Sequence, residues 1–152
     1  YDGIKISSSR IRKLLNQGDI IGARECLGRD YMLSGTVVSG EKLGRKLGYP
    51  TANIKLEYDY PLDGVYLTRT VIGENNYVGL ASLGNKPTFN GSEKILEVFI
   101  LDFDEDIYSQ NIEVYFLEEI RKQVKFSNQD ELIKQMNEDH KYAIINSKKY
   151  GI

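Results

Sequence analysis

The hydrophobic pattern changes character twice along the chain. From Ser7 to Leu27 apolar residues fall three and four apart, which predicts two short helices. Ser9 is the expected cap of the first, with Ile11, Leu14 and Leu15 inward and Gly18 as its stop. Asp19 is the expected cap of the second, with Ala23, Cys26 and Leu27 inward and Gly28 ending it. The middle of the chain is β-rich instead. Val65 to Ile72 and Tyr77 to Leu83 flank Gly73-Glu74-Asn75-Asn76, a good hairpin loop. Ile95 to Phe103 and Ile112 to Leu117 form a second pair around an acidic loop. Adding Gly35 to Val38 and Thr51 to Leu56 gives about six short strands, and their hairpin connections predict a small antiparallel barrel. Beyond them Leu132, Ile133, Met136, Ala143 and Ile144 return to helical spacing, behind Ser127 as cap and Asp130 as its box partner. This last helix should lie along the barrel wall, and the polar residues after it should fray.

One strand breaks its own pattern. In Ile95–Phe103, alternation puts Leu96, Val98 and Ile100 on one face and Ile95, Phe99, Leu101 and Phe103 on the other. Both faces are apolar, so burial on both sides is expected, yet Glu97 interrupts one of them. A carboxylate placed there is costly unless paired or solvated, and burial would raise its pKa toward the range of a general base. The alternative is a glutamate at the strand's end reaching into water.

A second irregular stretch is Gly40-Glu-Lys-Leu-Gly44-Arg45-Lys-Leu-Gly48-Tyr-Pro50-Thr51-Ala-Asn53. Glycines every fourth residue, interleaved with Lys42, Arg45 and Lys46, let a ligand approach the main chain closely and offer amides to an anion. The spacing is neither that of a P-loop nor that of a dinucleotide-binding turn. After Pro50, an extended backbone would turn Thr51 and Asn53 to the same side. Two neutral oxygens there would suit magnesium arriving with phosphates. Thr and Asn are also ordinary turn residues, so spacing alone leaves both readings open.

Composition narrows the classes without choosing among them. The 152 residues suffice for one domain with a real core. A net charge of −2 and a pI of about 5.5 argue against a general nucleic-acid binder. The single cysteine, Cys26, excludes an internal disulfide framework and fits a reducing compartment. No apolar run approaches the ~20 residues of a membrane span, and the start lacks a signal-peptide pattern. A soluble cytoplasmic protein is the expectation. His140, the only histidine, has no second ligand nearby and is read as structural. The acidic loop Asp102, Asp104, Glu105, Asp106 lacks the glycine and terminal glutamate of an EF-hand. Arg121, Lys122 and Lys125 fit a solvated face, or a contact with phosphate or an aromatic ligand, and Tyr108 in its hairpin could stack on a base.

Taken together, these motifs match a known pattern. Gly35-x-Val37-Val38-x-Gly40, Gly44-Arg45-x-Leu47-Gly48-Tyr49-Pro50-Thr51-Ala52-Asn53, Gly64-Val65-Tyr66, Gly84-Asn85-Lys86-Pro87-Thr88-Phe89, Glu97-Val98, Leu101-Asp102-Phe103 and Arg121 with Lys125-Phe126 occur in this order. The set closely resembles the flavokinase (riboflavin kinase) family. The resemblance implies a six-stranded Greek-key barrel with a C-terminal helix, transferring the γ-phosphate of ATP to the ribityl 5′-hydroxyl of riboflavin. By motif, Thr51 and Asn53 would hold magnesium and phosphates, and Glu97 would be the catalytic acid–base group. Gly40, Gly44, Arg45, Gly48 and Pro50 fall in the family's ATP loop, Ile100, Asp102 and Tyr108 at its adenosine site, and Arg121 and Phe126 on the flavin side. Two positions depart: Phe99 stands where many members have His, and Gln123 where many have Glu. The first is expected to leave the chemistry intact; the second bears on any flavin contact made by that glutamate.

Upstream, Ile6-Ser7-Ser8-Ser9-Arg10-Ile11-Arg12 is similar to the closing motif of the adenylyltransferase module in bacterial bifunctional FAD synthetases. The division implied is linker helices over 1–30 and a kinase domain over 31–152. The module's His-containing phosphate motif is absent, so this chain alone is not expected to make FAD. Riboflavin/FMN, ATP/ADP and the upstream domain are the implied partners, with no role for nucleic acid or membrane. Two other classes compete. A flavin-binding barrel without kinase activity would not require Thr51, Asn53 and Glu97 together. A nucleic-acid-binding barrel would need an aromatic platform beside its cations.

Overall fold

The computed structural model describes residues 8–38, 51–56, 60–88 and 91–152, with 85–88 and 91–93 as backbone alone. Two helices, α1 (Ser8–Asn16) and α2 (Ile20–Leu27), precede six strands. These are β1 (Tyr31–Val38), β2 (Thr51–Lys55), β3 (Gly64–Ile72), β4 (Asn75–Thr88), β5 (Gly91–Ile100) and β6 (Asn111–Arg121). Helix α3 (Gln129–Asn146) and a 3-10 turn, Ser147–Tyr150, follow. The strands close into an antiparallel barrel in the order β1-β2-β5-β4-β3-β6. Strands β3, β4 and β5 are consecutive neighbours, and β6 returns beside β3, which is the Greek-key arrangement. The barrel expected from the sequence is present.

Local chemistry explains most of the boundaries. Gly73 takes φ 61 at the first central position of the β3–β4 hairpin, where an L side chain would be strained. The Asp19 side chain accepts from the Gly22 amide at 2.8 Å, and Gly28 closes α2 at φ 72. Several boundaries or faces differ from the sequence expectation: β1 starts at Tyr31 and not Gly35, β4 runs Asn75–Thr88 so that the hairpin loop is Gly73-Glu74 alone, and β6 runs on to Arg121. Ser9 lies inside α1, which already includes Ser8. The cap of α3 is Asn128, whose side chain accepts from the Glu131 amide at 2.9 Å, while the Glu131 carboxylate accepts from Ser127 N–H at 3.1 Å. The cap is therefore shifted by one residue, and the Glu131 side chain reaches past it to Ser127. Strand β5 stops at Ile100, because Asp102 turns the chain at φ 54. Ile144 is 47% exposed, so the buried stripe of α3 runs through Asp139 and Ala143 instead.

Two apolar clusters hold the fold. The first fills the barrel, where Tyr66 and Phe116 meet edge-on with centroids 5.3 Å apart. It continues into Leu14, Leu15, Ile20, Ala23 and Cys26, so α1 and α2 share the barrel's core. The second lies outside the barrel, where Leu67, Leu80, Leu101 and Leu117 pack with Ala143 of α3. Strand β3 is thus covered on both faces over Gly64–Thr68, where every residue is buried. The C-terminal residues do not fray. Tyr150 Oη donates to Glu118 at 2.7 Å, and Ser147 is buried.

Candidate functional site

Register, more than any single side chain, defines the site. Asn53 of β2 pairs with Glu97 of β5, Glu97 with Ser82 of β4, Ser82 with Val65 of β3, and Val65 with Arg121 of β6. Val38 of β1 completes the row by pairing with Asn53. Directly opposed residues share a face of the sheet. Leu96 and Val98, which flank Glu97, are fully buried in the interior cluster, so the row lies on the outer face. Three residues separated by 44 and 24 positions in the chain thereby stand on one transverse belt. Arg121 and Glu97 are three inter-strand steps apart, roughly 14 Å along the curved surface of the closed barrel at about 4.8 Å per step.

Thr51 sits two residues before Asn53 on the same face, opposite Phe99. The Asn53 amide Nδ2 donates to the Thr51 carbonyl at 3.5 Å, and Asn53 is only 6% exposed. Among the described residues no group of three or more His, Cys, Asp or Glu side chains could hold a metal ion. A divalent cation at this belt would therefore rely on ligand oxygens together with the Thr51 hydroxyl and the Asn53 amide oxygen. Hard neutral donors of that kind suit magnesium, which usually retains water and phosphate in its shell. The donor set fits the ion.

Glu97 is half-buried, less enclosed than a strand buried on both sides would make it. Its outer-face neighbours Ile95 and Phe99 are half-buried too. The Phe99 ring meets His140 of α3 edge-on, with centroids 5.8 Å apart.

The far end of the belt is organised by the segment after β6. Arg121 Nε donates to both Asp139 oxygens at 3.1 and 3.2 Å, and Nη2 to Asp139 Oδ2 at 2.9 Å. Nη1 donates to the Lys122 carbonyl at 3.2 Å, and the guanidinium carbon lies 5.8 Å from the Phe126 ring centroid. Gln135, one turn before Asp139, donates to Asp139 Oδ1 at 3.0 Å. Gln123 Nε2 stands 2.7 Å from Ser82 Oγ, 3.2 Å from the Leu83 carbonyl and 3.3 Å from the Gly64 carbonyl. Gln123, the departure noted in the sequence, thus clips this segment over the β3–β4 pair. Ser82, Gln135 and Asp139 were not anticipated. For Ser82 a signal existed, since it is the polar residue between Ala81 and Leu83 in an alternating strand.

Along the strands, the other candidates lie toward the end of β5. Ile100 is 5% exposed and belongs to the interior cluster, so its side chain does not line the outer belt. Asp102 is exposed in its left-handed turn. Tyr108 is 59% exposed, and its amide donates to Asp106 Oδ1 at 3.0 Å. The amide of Ser109 donates to the Val37 carbonyl, and that of Val37 to the Gln110 carbonyl, both at 2.9 Å. This loop therefore docks on the end of β1, from which the glycine-rich stretch departs. Gly40, Gly44, Arg45, Gly48 and Pro50 lie outside the described residues.

A second acidic group on the outer face is engaged differently. Glu118 of β6 is buried under α3 and accepts from Tyr142 Oη, from Tyr150 Oη at 2.7 Å and from Lys149 Nζ at 2.9 Å. Burial pushes this carboxyl up, but the donors from Tyr142, Tyr150 and Lys149 outweigh it and hold the group below its ordinary value. The hydrogen bond to Glu118, aided by burial, raises the Tyr142 phenol to about 12.

Comparison with known proteins converges on one family. The model of the family described as "Flavokinase: Riboflavin kinase" matches residues 27–145. The bifunctional riboflavin kinase/FMN adenylyltransferase of Buchnera aphidicola subsp. Schizaphis graminum (strain Sg) is 42% identical over 140 residues, covering 90% of this chain and 45% of that protein. The chain spans about half the length of the relatives it matches. A crystal structure of a macrolide-efflux protein from Streptococcus pneumoniae is 40% identical at a TM-score of 0.84, covering 91% of this chain and 46% of that one. Riboflavin kinase from Trypanosoma brucei, at 24% identity and a TM-score of 0.56, shares the fold over 78% of this chain and 80% of that one. No helix among the described residues is long and apolar enough to cross a membrane.

Proposed function

Because the chain belongs to the riboflavin kinase family, we propose that it transfers the γ-phosphate of ATP to the ribityl 5′-hydroxyl of riboflavin, giving FMN and ADP. The observation that carries this reading is the belt Asn53–Glu97–Ser82–Val65–Arg121. Its roughly 14 Å of curved surface between the two backbone positions leaves room for a ring system at one end and a polyol chain running to the other. The substrate would lie across the strands, with the ring against Arg121 and Phe126 and the chain passing Ser82. Its terminal alcohol would then meet Glu97.

Phosphoryl transfer asks chiefly for positioning and charge neutralisation. Glu97 orients the alcohol and takes its proton as the oxygen bonds to the γ-phosphorus and the bond to the ADP oxygen breaks. Thr51 and Asn53 would hold magnesium, which when bound neutralises charge on the triphosphate. Gly40, Gly44, Arg45, Gly48 and Pro50 would wrap the phosphates. Tyr108, exposed beside the end of β1, and Asp102 would meet the adenosine, with Ile100 contributing backbone only.

We further propose that the complete protein carries an adenylyltransferase domain ahead of this one and works in the cytoplasm. The doubled length and paired names of its relatives support the first point. In this division residues 1–30 link the two domains and 31–152 form the kinase. The test is direct. The chain, given riboflavin, ATP and magnesium, should yield FMN and ADP in equal amounts and no FAD. Flavin binding without phosphate transfer would favour the non-catalytic barrel instead.

A further inference from the structure

We infer that Asp139 is a positioning residue that locks the plane of the Arg121 guanidinium against the flavin ring. The inference rests on the kinase reading above and deepens it. Arginine has five N–H donors arranged as a rigid fork. In this chain three of those five are engaged, Nε–H and one Nη2–H by Asp139 and one Nη1–H by the Lys122 carbonyl. A ligand could take the Nε–Nη2 edge only by displacing a carboxylate whose side chain is 6% exposed, and a buried charge stripped of its partner is costly. Gln135 adds a further donor to the same carboxylate and fixes its orientation on α3. Two N–H groups and the planar surface of the guanidinium are left for recognition. Arginine stacks on aromatic faces as readily as it forks onto acids, and the Phe126 ring already lies 5.8 Å from its carbon. Recognition of the flavin would then be a stacking contact, with Asp139 setting the plane from α3.

The experiment compares steady-state kinetics of the wild type, Asp139→Asn and Arg121→Lys, varying riboflavin and ATP separately. Asp139→Asn should raise KM for riboflavin about tenfold through loss of an ordered cation–aromatic contact. KM for ATP and kcat should stay within about twofold. Arg121→Lys, which keeps the charge opposite Asp139 but removes the plane, should raise KM for riboflavin similarly, and the double variant should add little more. A residue with a merely structural role would lower kcat and raise both KM values together. Unchanged riboflavin KM in Arg121→Lys overturns the inference, even if Asp139→Asn fails to fold. A wild type that makes no FMN overturns the kinase reading, an outcome distinct from either variant result.

Discussion

On its inner face β5 presents Leu96, Val98 and Ile100, none more than 5% exposed, whereas its outer face presents Ile95, Glu97 and Phe99, all half-buried. One backbone thus serves two environments that alternate residue by residue. The inner set fills the barrel and has no access to a ligand. The outer set meets α3 at Phe99 and the proposed substrate belt at Glu97. Stability and chemistry are therefore separable along a single strand, and substitutions on adjacent residues should act on different observables.

The strongest way to break the comparison is Glu97→Gln. General-base assistance is worth typically 10²–10⁴-fold, so turnover should fall by that order while circular dichroism stays native. Near-normal turnover by the folded variant would remove Glu97 from the mechanism. Its neighbour supplies the converse. Leu96→Ala should lower unfolding free energy by about 2–5 kcal/mol through lost burial and a residual cavity. Riboflavin kinase kcat at a permissive temperature should change little, and a large drop in kcat there would show that the two faces are coupled.

A smaller effect sharpens the contrast, since an acid on the outer face need not be chemical. Glu118 is buried under α3 and saturated with donors, and Glu118→Gln should cost about 1–3 kcal/mol at neutral pH with kcat unchanged. Its carboxyl lies below the ordinary 4.5 in the folded chain. The stabilisation is thus complete above that value and lost as pH falls through the folded pKa. Wild type and variant should consequently converge in acid. On the alkaline side the sign reverses: Tyr142, raised from 10.0 to about 12, contributes fully below 10 and loses its share as pH climbs through that interval. Thermal unfolding against pH reads both limbs, and parallel curves for the two proteins would refute the assignment to Glu118.

What the sequence disclosed was mostly local. The Gly73 hairpin, the Asp19 and Gly28 caps and the inward set of β5 follow from propensity and alternation, which act within a few residues. The belt was half visible: its chemistry-bearing members could be named by motif, but their common level on the barrel depends on register across five strands. Asp139 was not legible at all. It sits on a mostly polar helix, and its burial is made tolerable by Arg121, eighteen residues earlier, together with Gln135. The ordered C-terminus has the same origin, since Tyr150 finds its acceptor thirty-two residues back. The shift of the α3 cap from Ser127 to Asn128 reflects two adjacent residues with equal capping ability.

The pairing of β2 with β5 has a mechanical consequence. β2 is zipped to β5 along its whole length from Thr51 to Lys55. Thr51, Asn53 and Glu97 therefore belong to one two-strand unit and keep their mutual spacing whenever the barrel breathes.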